Sequence, residues 1–239
     1  MGPLALVTGA AGGIGRATLT RLARDGWRFH LVDPDPAVAD LAAEHGATHA
    51  VSALGDRAAC EAALPPGDAP IRALVHLAGI FVPHEFAPED RAIYDRTMQV
   101  NAHNAYDMVG AVLPRMPKGN TGPDSSRIVL VSSLAFNRGS PEHVGYSMAK
   151  GALVALCRSL NRGYAAQGIL TNALAPGIIT TAMPAHVIET RGEQALAATP
   201  MGRFGAAEEV AGVIGFLLSP DASYVSGQLI NVDGGTICG

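Results

Sequence analysis

Apolar residues along this chain fall into short continuous runs, separated by longer stretches in which they recur every three or four positions. Strand-length runs cover 4–7, 29–32, 48–51, 71–77, 128–131, 169–174 and 224–232. Those at 74–77 and 128–131 show no polar alternate face, as expected of strands buried on both sides. Helical spacing follows at 15–24, 56–64, about 88–116, from the Tyr146 region to about 167, and 208–218. In the last of these Glu208 and Glu209 precede the stripe Val210, Val213, Ile214, Leu217 and Leu218, which sets acids at the helix's positive end. Strands alternating with helices predict an α/β domain, a mostly parallel seven-stranded sheet with helices on both faces. The stretch 117–126, rich in Pro, Gly, Ser and Asn, reads as a surface loop.

Composition narrows the classes. A chain of 239 residues with 48% hydrophobic content and a net charge of −4 is expected to form one domain over 1–239. Mild acidity without a basic cluster argues against a nucleic-acid partner or an anionic membrane. Cys60, Cys157 and Cys238 are odd in number and lack ligand spacing. They fit a reducing compartment, with neither a disulfide framework nor a metal site. No apolar stretch is long enough to span a bilayer, and no basic region precedes the first one. Leu6 stands where a myristoylation signal needs Ser or Thr. The expected location is the cytoplasm.

Two stretches carry candidate chemistry. The first apolar run leads into Thr8-Gly9-Ala10-Ala11-Gly12-Gly13-Ile14-Gly15 and then a helix. This strand, glycine turn and helix lets backbone N–H groups approach a diphosphate, as at the start of a Rossmann-type doubly wound fold. A glycine-rich turn can also serve the turn alone. The next run ends at Asp33, where such a fold sets an acid on the adenosine ribose. Its carboxylate would repel a 2′-phosphate, and neither Ala10 nor Pro34 supplies an arginine, so NAD is expected over NADP. The other reading of Asp33 is a helix N-cap ahead of Pro34. Farther along, 128–131 ends in Ser132 and Ser133, and Tyr146 and Lys150 follow four apart. On a helix that spacing puts an ammonium one turn from a phenol. A free phenol titrates near pH 10, and a fixed cation lowering that by about 3 units would make it an effective proton-transfer group. Lys150 is one of two lysines in a chain otherwise rich in arginine, and the two cations are not interchangeable.

With these motifs in view, the sequence resembles the short-chain dehydrogenase/reductase family over essentially its whole length. Thr8-Gly9-x-x-x-Gly13-x-Gly15 matches the family's cofactor loop, in which Ile14 also lies. Ser133, Tyr146 and Lys150 match its catalytic serine and Tyr-x-x-x-Lys, which selects Ser133 over Ser132. The resemblance makes Asn101 the fourth catalytic residue, whose amide distorts its helix so that a backbone carbonyl can hold a water near Lys150. It also implies cofactor contacts from Ala78 and Gly79, from Pro176 and Gly177, and from Thr181. Two departures stand out. His76-Leu77-Ala78-Gly79 replaces the usual Asn-Asn-Ala-Gly, removing an asparagine that braces the sheet. Ala53 replaces an aspartate that commonly contacts adenine.

The resemblance implies an NAD-dependent oxidoreductase acting on a secondary alcohol or its ketone. Tyr146 exchanges the proton, Ser133 bonds the substrate oxygen, and Lys150 tunes the phenol and holds the cofactor ribose. The expected pocket includes Leu134, Phe136, Asn137, Met183 and the loop 80–86, under a lid at about 182–199. His84, His143 and His186 read as solvent-facing. A 3-oxoacyl-thioester reductase, an NAD-using dehydratase or epimerase, and a non-catalytic NAD sensor are the alternatives. A homotetramer is implied through the helix at 88–116 and the Tyr146-Lys150 helix. The latter carries Ala149, Gly151, Ala152, Leu153, Ala155 and Leu156, apolar around more of its circumference than one sheet face covers.

Overall fold

The computed structural model describes residues 2–83, 91–119 and 121–237, without the side chains of residues 185–187 and 191. His84, the loop positions 84–86, the start of the 88–116 helix, the His186 side chain and Cys238 therefore lie outside the described residues.

Seven strands form one sheet: β1 (Leu4–Thr8), β2 (Arg28–Asp33), β3 (Thr48–Val51), β4 (Ala73–His76), β5 (Ser126–Val131), β6 (Ile169–Pro176) and β7 (Leu229–Val232). Their order is β3-β2-β1-β4-β5-β6-β7, and every pairing is parallel. The chain winds outward through β2 and β3, then returns to lay β4 against the free side of β1. That reversal opens a crevice above the carboxyl ends of β1 and β4, where an open α/β sheet binds its ligand. Thr8 pairs with His76 and His76 with Leu130, so the ends of the three central strands are level.

Alternation along each strand builds two cores. Ala5 and Val7 of β1 face Leu19 and Leu22 of α1 (Gly13–Ala23), Leu41 of α2 (Val38–Glu44) and Val210 and Ile214 of α9 (Ala207–Leu218). Leu4 and Leu6 face the other way. Their layer holds Cys60 of α3 (Arg57–Ala62), Met108 and Val109 of α5 (Asn104–Val112), and Leu153 and Cys157 of α7 (Val144–Tyr164). The remaining helices are α4 (Arg91–Met98), α6 (Ala135–Arg138) and α8 (Ala185–Ala197). Among the described residues no helix is long and apolar enough to cross a membrane.

The doubly wound seven-stranded sheet is as expected, with every pairing parallel. Two expectations need correction. The stretch read as one helix over 88–116 is α4, a π-helical turn at Gln99–His103, α5 and a 3-10 turn at Leu113–Arg115. The last strand starts at Leu229 and not at 224, because the chain ahead of it serves β6: Asn172 donates to the Val225 carbonyl at 2.8 Å and accepts the Gln228 N–H at 3.1 Å.

Candidate active site

The N-terminal end of α1 opens on the crevice. Its N-cap is Gly12, its first turn carries no acid, and no side chain caps it, so its free N–H groups and positive end suit an anion. Three glycines of the turn have their own reasons. Gly9 has φ +66°, and a Cβ there would lie 2.8 Å from Ala78 N. On Gly15 it would lie 2.4 Å from the Ala10 carbonyl, and on Gly13 2.6 Å from Thr181 Cγ2. The glycines thus let β1 meet β4, and α1 meet the segment after β6. Asp33 ends β2 with its carboxylate oriented by the Ala11 and Asp35 N–H groups at 3.0 and 2.9 Å. It does not cap α2, whose N-cap is Ala37.

At the other end, Ser132 Oγ donates to the Lys150 carbonyl at 2.7 Å, and Lys150 Nζ donates to the Val131 carbonyl at 3.0 Å. These two bonds dock α7 on the end of β5. Ser132 is consumed in that anchorage, leaving Ser133 for the cavity, where it hydrogen-bonds Tyr146. Asn101 explains the π-helical turn. Its Nδ2 donates to the Thr97 and Ile80 carbonyls, both at 3.0 Å, and its Oδ1 accepts the Ile80 N–H at 3.2 Å. The Asn104 N–H reaches back five residues to the Gln99 carbonyl. Gly79 makes room for this, since a Cβ there would sit 2.5 Å from Asn101 Oδ1 and 3.2 Å from Lys150 Nζ.

Ser133, Tyr146, Lys150 and Asn101 line one cavity of about 1430 Å³ with Gly9, Gly13, Ile14, Gly15, Asp33, Ala78, Gly79, Pro176, Gly177 and Thr181. It is large enough for a dinucleotide and a substrate side by side, and its lining includes both Asp33 at the end of β2 and Tyr146 on α7. Thr8, expected at the cofactor, is fully buried outside the cavity. Its hydroxyl pairs with His76 Nδ1 at 2.9 Å and accepts the Ala78 N–H at 3.3 Å. His76 thus restores, across β1 and β4, the brace that the missing asparagine left in question. Leu134 and Met183 line the cavity, but Phe136 and Asn137 do not. The short α6 turns Phe136 toward Gly151 of α7 and leaves Asn137 exposed.

Sequence reasoning misplaced one group. His143 is buried, not solvent-facing. Its ring stacks on Phe81 with centroids 3.9 Å apart and planes 6° from parallel, its Nδ1 lies 3.0 Å from Ser140 Oγ, and Phe81 packs edge-on against Tyr146 at 4.9 Å. Both residues line the cavity over the phenol. Residues 181–184, Thr190, Gln194, Ala195 and Ala198 form another wall of it.

The electrostatics differ from the simple expectation. Burial pushes the Tyr146 phenol up to about 12, an effect the Ser133 hydrogen bond only partly offsets, and burial lowers Lys150 to about 8. The ammonium is turned to the Val131 carbonyl and stands 5.5 Å from the centre of the Tyr146 ring, so desolvation outweighs its pull on the phenol. At neutral pH Tyr146 is a proton donor.

Comparison with known proteins fits this geometry. A family model described as enoyl-(acyl carrier protein) reductase matches residues 9–236. A short-chain dehydrogenase/reductase of the glucose/ribitol dehydrogenase kind from Brucella melitensis superposes with a TM-score of 0.88 at 32% identity, over 99% of this chain and 97% of that one. The chain belongs to the short-chain dehydrogenase/reductase family. Among curated relatives of this family, galactitol 2-dehydrogenase (L-tagatose-forming) of Cereibacter sphaeroides is 35% identical, covering 98% of this chain and 94% of its own. The 3-oxoacyl-(acyl-carrier-protein) reductase FabG of Thermotoga maritima is 33% identical over 99% and 98%. A structure from Agrobacterium tumefaciens, provisionally described as a 2-deoxy-D-gluconate 3-dehydrogenase with bound NADP, has a TM-score of 0.86 at 29% identity, over 98% and 96%. The protein is thus an enzyme of this oxidoreductase family, and the residues of its cavity fit a nicotinamide dinucleotide.

Proposed function

We propose that the protein is an NAD-dependent dehydrogenase that interconverts a secondary alcohol and its ketone. The observation that carries this reading is the meeting of Ser133, Tyr146, Lys150 and Asn101 at one end of a cavity bordered farther along by Asp33. Asp33, the α1 N-terminus, Ala78, Gly79, Pro176, Gly177 and Thr181 would hold the cofactor, which supplies or takes the hydride. Tyr146 exchanges a proton with the substrate oxygen. Ser133, hydrogen-bonded to that phenol, shares the oxygen and stabilises charge developing on it. Lys150 holds the ribose and supports the phenolate whenever Tyr146 has given up its proton. Asn101 clamps the loop at Ile80 to the π-helical turn and so fixes the floor beneath both. Phe81 and His143 exclude water above the phenol, and 182–199 acts as the substrate lid.

Asp33 supports NAD over NADP. Its carboxylate faces the cavity with both oxygens oriented by backbone N–H groups, which suits two ribose hydroxyls and repels a phosphate. The relatives with NADP and acyl-carrier names keep a 3-oxoacyl-thioester reductase as the nearest alternative chemistry. The enzyme is further read as a homotetramer without a nucleic-acid or membrane partner. Assay of polyols, hydroxy acids and 3-oxoacyl thioesters with each cofactor, followed by the absorbance of the reduced nicotinamide, tests this reading. Turnover of a secondary alcohol with NAD is expected. A clear preference for NADPH would overturn the cofactor assignment, and binding without turnover of any substrate would overturn the activity.

A further inference from the structure

On one side of the phenol the cavity is bounded by two fixed rings. Phe81 follows Ile80, whose N–H and carbonyl are both held by the Asn101 side chain, at 3.2 and 3.0 Å. His143 is 4% exposed. Its N–H donates to the Ser140 carbonyl at 3.0 Å, its Nδ1 lies 3.0 Å from Ser140 Oγ, and its carbonyl accepts the Ser147 N–H at 2.9 Å in the first turn of α7. The Phe81 and His143 rings lie 3.9 Å apart and 6° from parallel, and Phe81 meets the Tyr146 ring at 4.9 Å and 77°. Stacked and edge-on pairs are the arrangements aromatic rings prefer. Anchorage at the π-helical turn, at Ser140 and on α7 therefore holds all three rings in one packed set.

The other side of the site is built differently. Ser133 is hydrogen-bonded to the phenol, and the chain runs on from it to Leu134 and Arg138, which are four apart and both line the cavity. Arg138 is exposed, and Met183, also in the lining, is 50% exposed. Here the cavity meets solvent. A carbonyl carbon carries two substituents, so a substrate whose oxygen reaches Tyr146 and Ser133 sends one toward the rings and the other toward this open side.

We propose that the Phe81–His143 stack is a specificity-determining wall, which admits a group no larger than methyl or hydroxymethyl on its side of the reacting carbon and leaves the longer group to the Leu134 and Arg138 side. The substrate class is then a secondary alcohol oxidised next to its terminal carbon, such as a 2-alkanol or a polyol at its second carbon. Exchanging the two sides inverts the carbinol centre, so one enantiomer is used. A 3-oxoacyl thioester longer than 3-oxobutanoyl carries long groups on both sides and is excluded. This inference rests on the roles proposed above for Tyr146 and Ser133.

The test compares 2-alkanols with 3-alkanols of equal carbon number, and 3-oxobutanoyl with 3-oxooctanoyl thioesters, in the parent, in Phe81→Ala, and in Phe81→Val, which keeps apolar cover if the alanine variant does not fold. In the parent each carbon added on the short side should lower kcat/KM by about tenfold or more. Both variants should raise the ratio of 3-alkanol to 2-alkanol kcat/KM, by about tenfold in Phe81→Ala, and a loss of stability alone would not move that ratio. A parent that accepts both series equally, or a ratio unchanged in the variants, overturns the proposal. If no alcohol or thioester is turned over, the proposed function fails. The wall is then read from the affinity of methyl and ethyl ketones for the complex with reduced cofactor, by nicotinamide fluorescence: tighter methyl ketones, with the difference reduced in the variants, support it, and equal affinity or no binding overturns it.

Discussion

At the scale of single residues, three buried groups make stability depend on pH in different windows. Burial lowers His76 from about 6.5 to about 3, with the Lys150 charge adding to the effect. The unfolded chain binds the extra proton between those values, so stability falls as pH drops from about 6.5 toward 3. Lys150 titrates at about 8 when folded against 10.5 when unfolded, so its contribution rises with pH across that interval. Tyr146, raised from 10 to about 12, acts in the opposite sense: the folded state keeps its proton longer, and stability falls from pH 10 to 12. Thermal melts between pH 6 and 4 should therefore show a shallower loss of Tm in His76→Leu than in the parent; parallel loss would contradict the burial of a neutral imidazole. Tyr146→Phe should lower kcat by about a thousandfold or more while fluorescence titration shows NADH bound nearly as before, since a proton donor is lost and no ribose contact. The quartet was legible because its chemistry lies in spacing: a phenol and an ammonium one turn apart, just beyond a strand ending in hydroxyls. The burial of His143 was not, because its stacking on Phe81 joins residues far apart in the chain, and no local pattern announces it.

Among the elements, the π-helical turn at Gln99–His103 bears most on the site. Asn101→Leu keeps the size of the side chain and removes three hydrogen bonds, leaving the Ile80 N–H and carbonyl without their partner. The expected cost is about 2–4 kcal/mol in denaturant unfolding, with kcat lowered at least about tenfold because the floor beneath Lys150 moves. Full activity at wild-type stability would show that the turn is incidental. The helices and strands around it were readable because apolar period and length agree, and α3 even begins at the Asp56 that caps it through Ala59 N. The π-helical turn was not readable as such. One residue added to a turn offsets the apolar stripe by about 100°, but α4 and α5 run for only 8 and 9 residues, too short for the offset to show, so 88–116 keeps the look of one helix. Nor was the short β7, since the backbone of 225–228 answers to the Asn172 side chain of β6 and not to its own apolar run.

For the molecule as a whole, Asp33 and the helix exteriors offer separate tests. Asp33→Ala should narrow the proposed preference for NAD over NADP by about tenfold or more, read as the ratio of kcat/KM values; an unchanged ratio would place any discrimination elsewhere. Tyr106 of α5 and Met148 of α7 are 63% and 51% exposed, large apolar groups on the two helices expected to meet symmetry mates. Leu156 is half-buried against the core, so a charge there would test folding before assembly. Ala152 is exposed, and Ala152→Arg should dissociate the tetramer in light scattering without lowering Tm by more than a few degrees. A parent that is already monomeric would remove the tetramer from the account. The strand order also bears on how this chain is born. β1 is buried along its whole length, yet its neighbour on one side, β4, begins only at Ala73. A nascent chain emerging residue by residue therefore holds Leu-Ala-Leu-Val-Thr with one bare hydrogen-bonding edge until Ala73–His76 has left the ribosome. Fragments ending before that point should aggregate through this edge, whereas fragments that include β4 can close it.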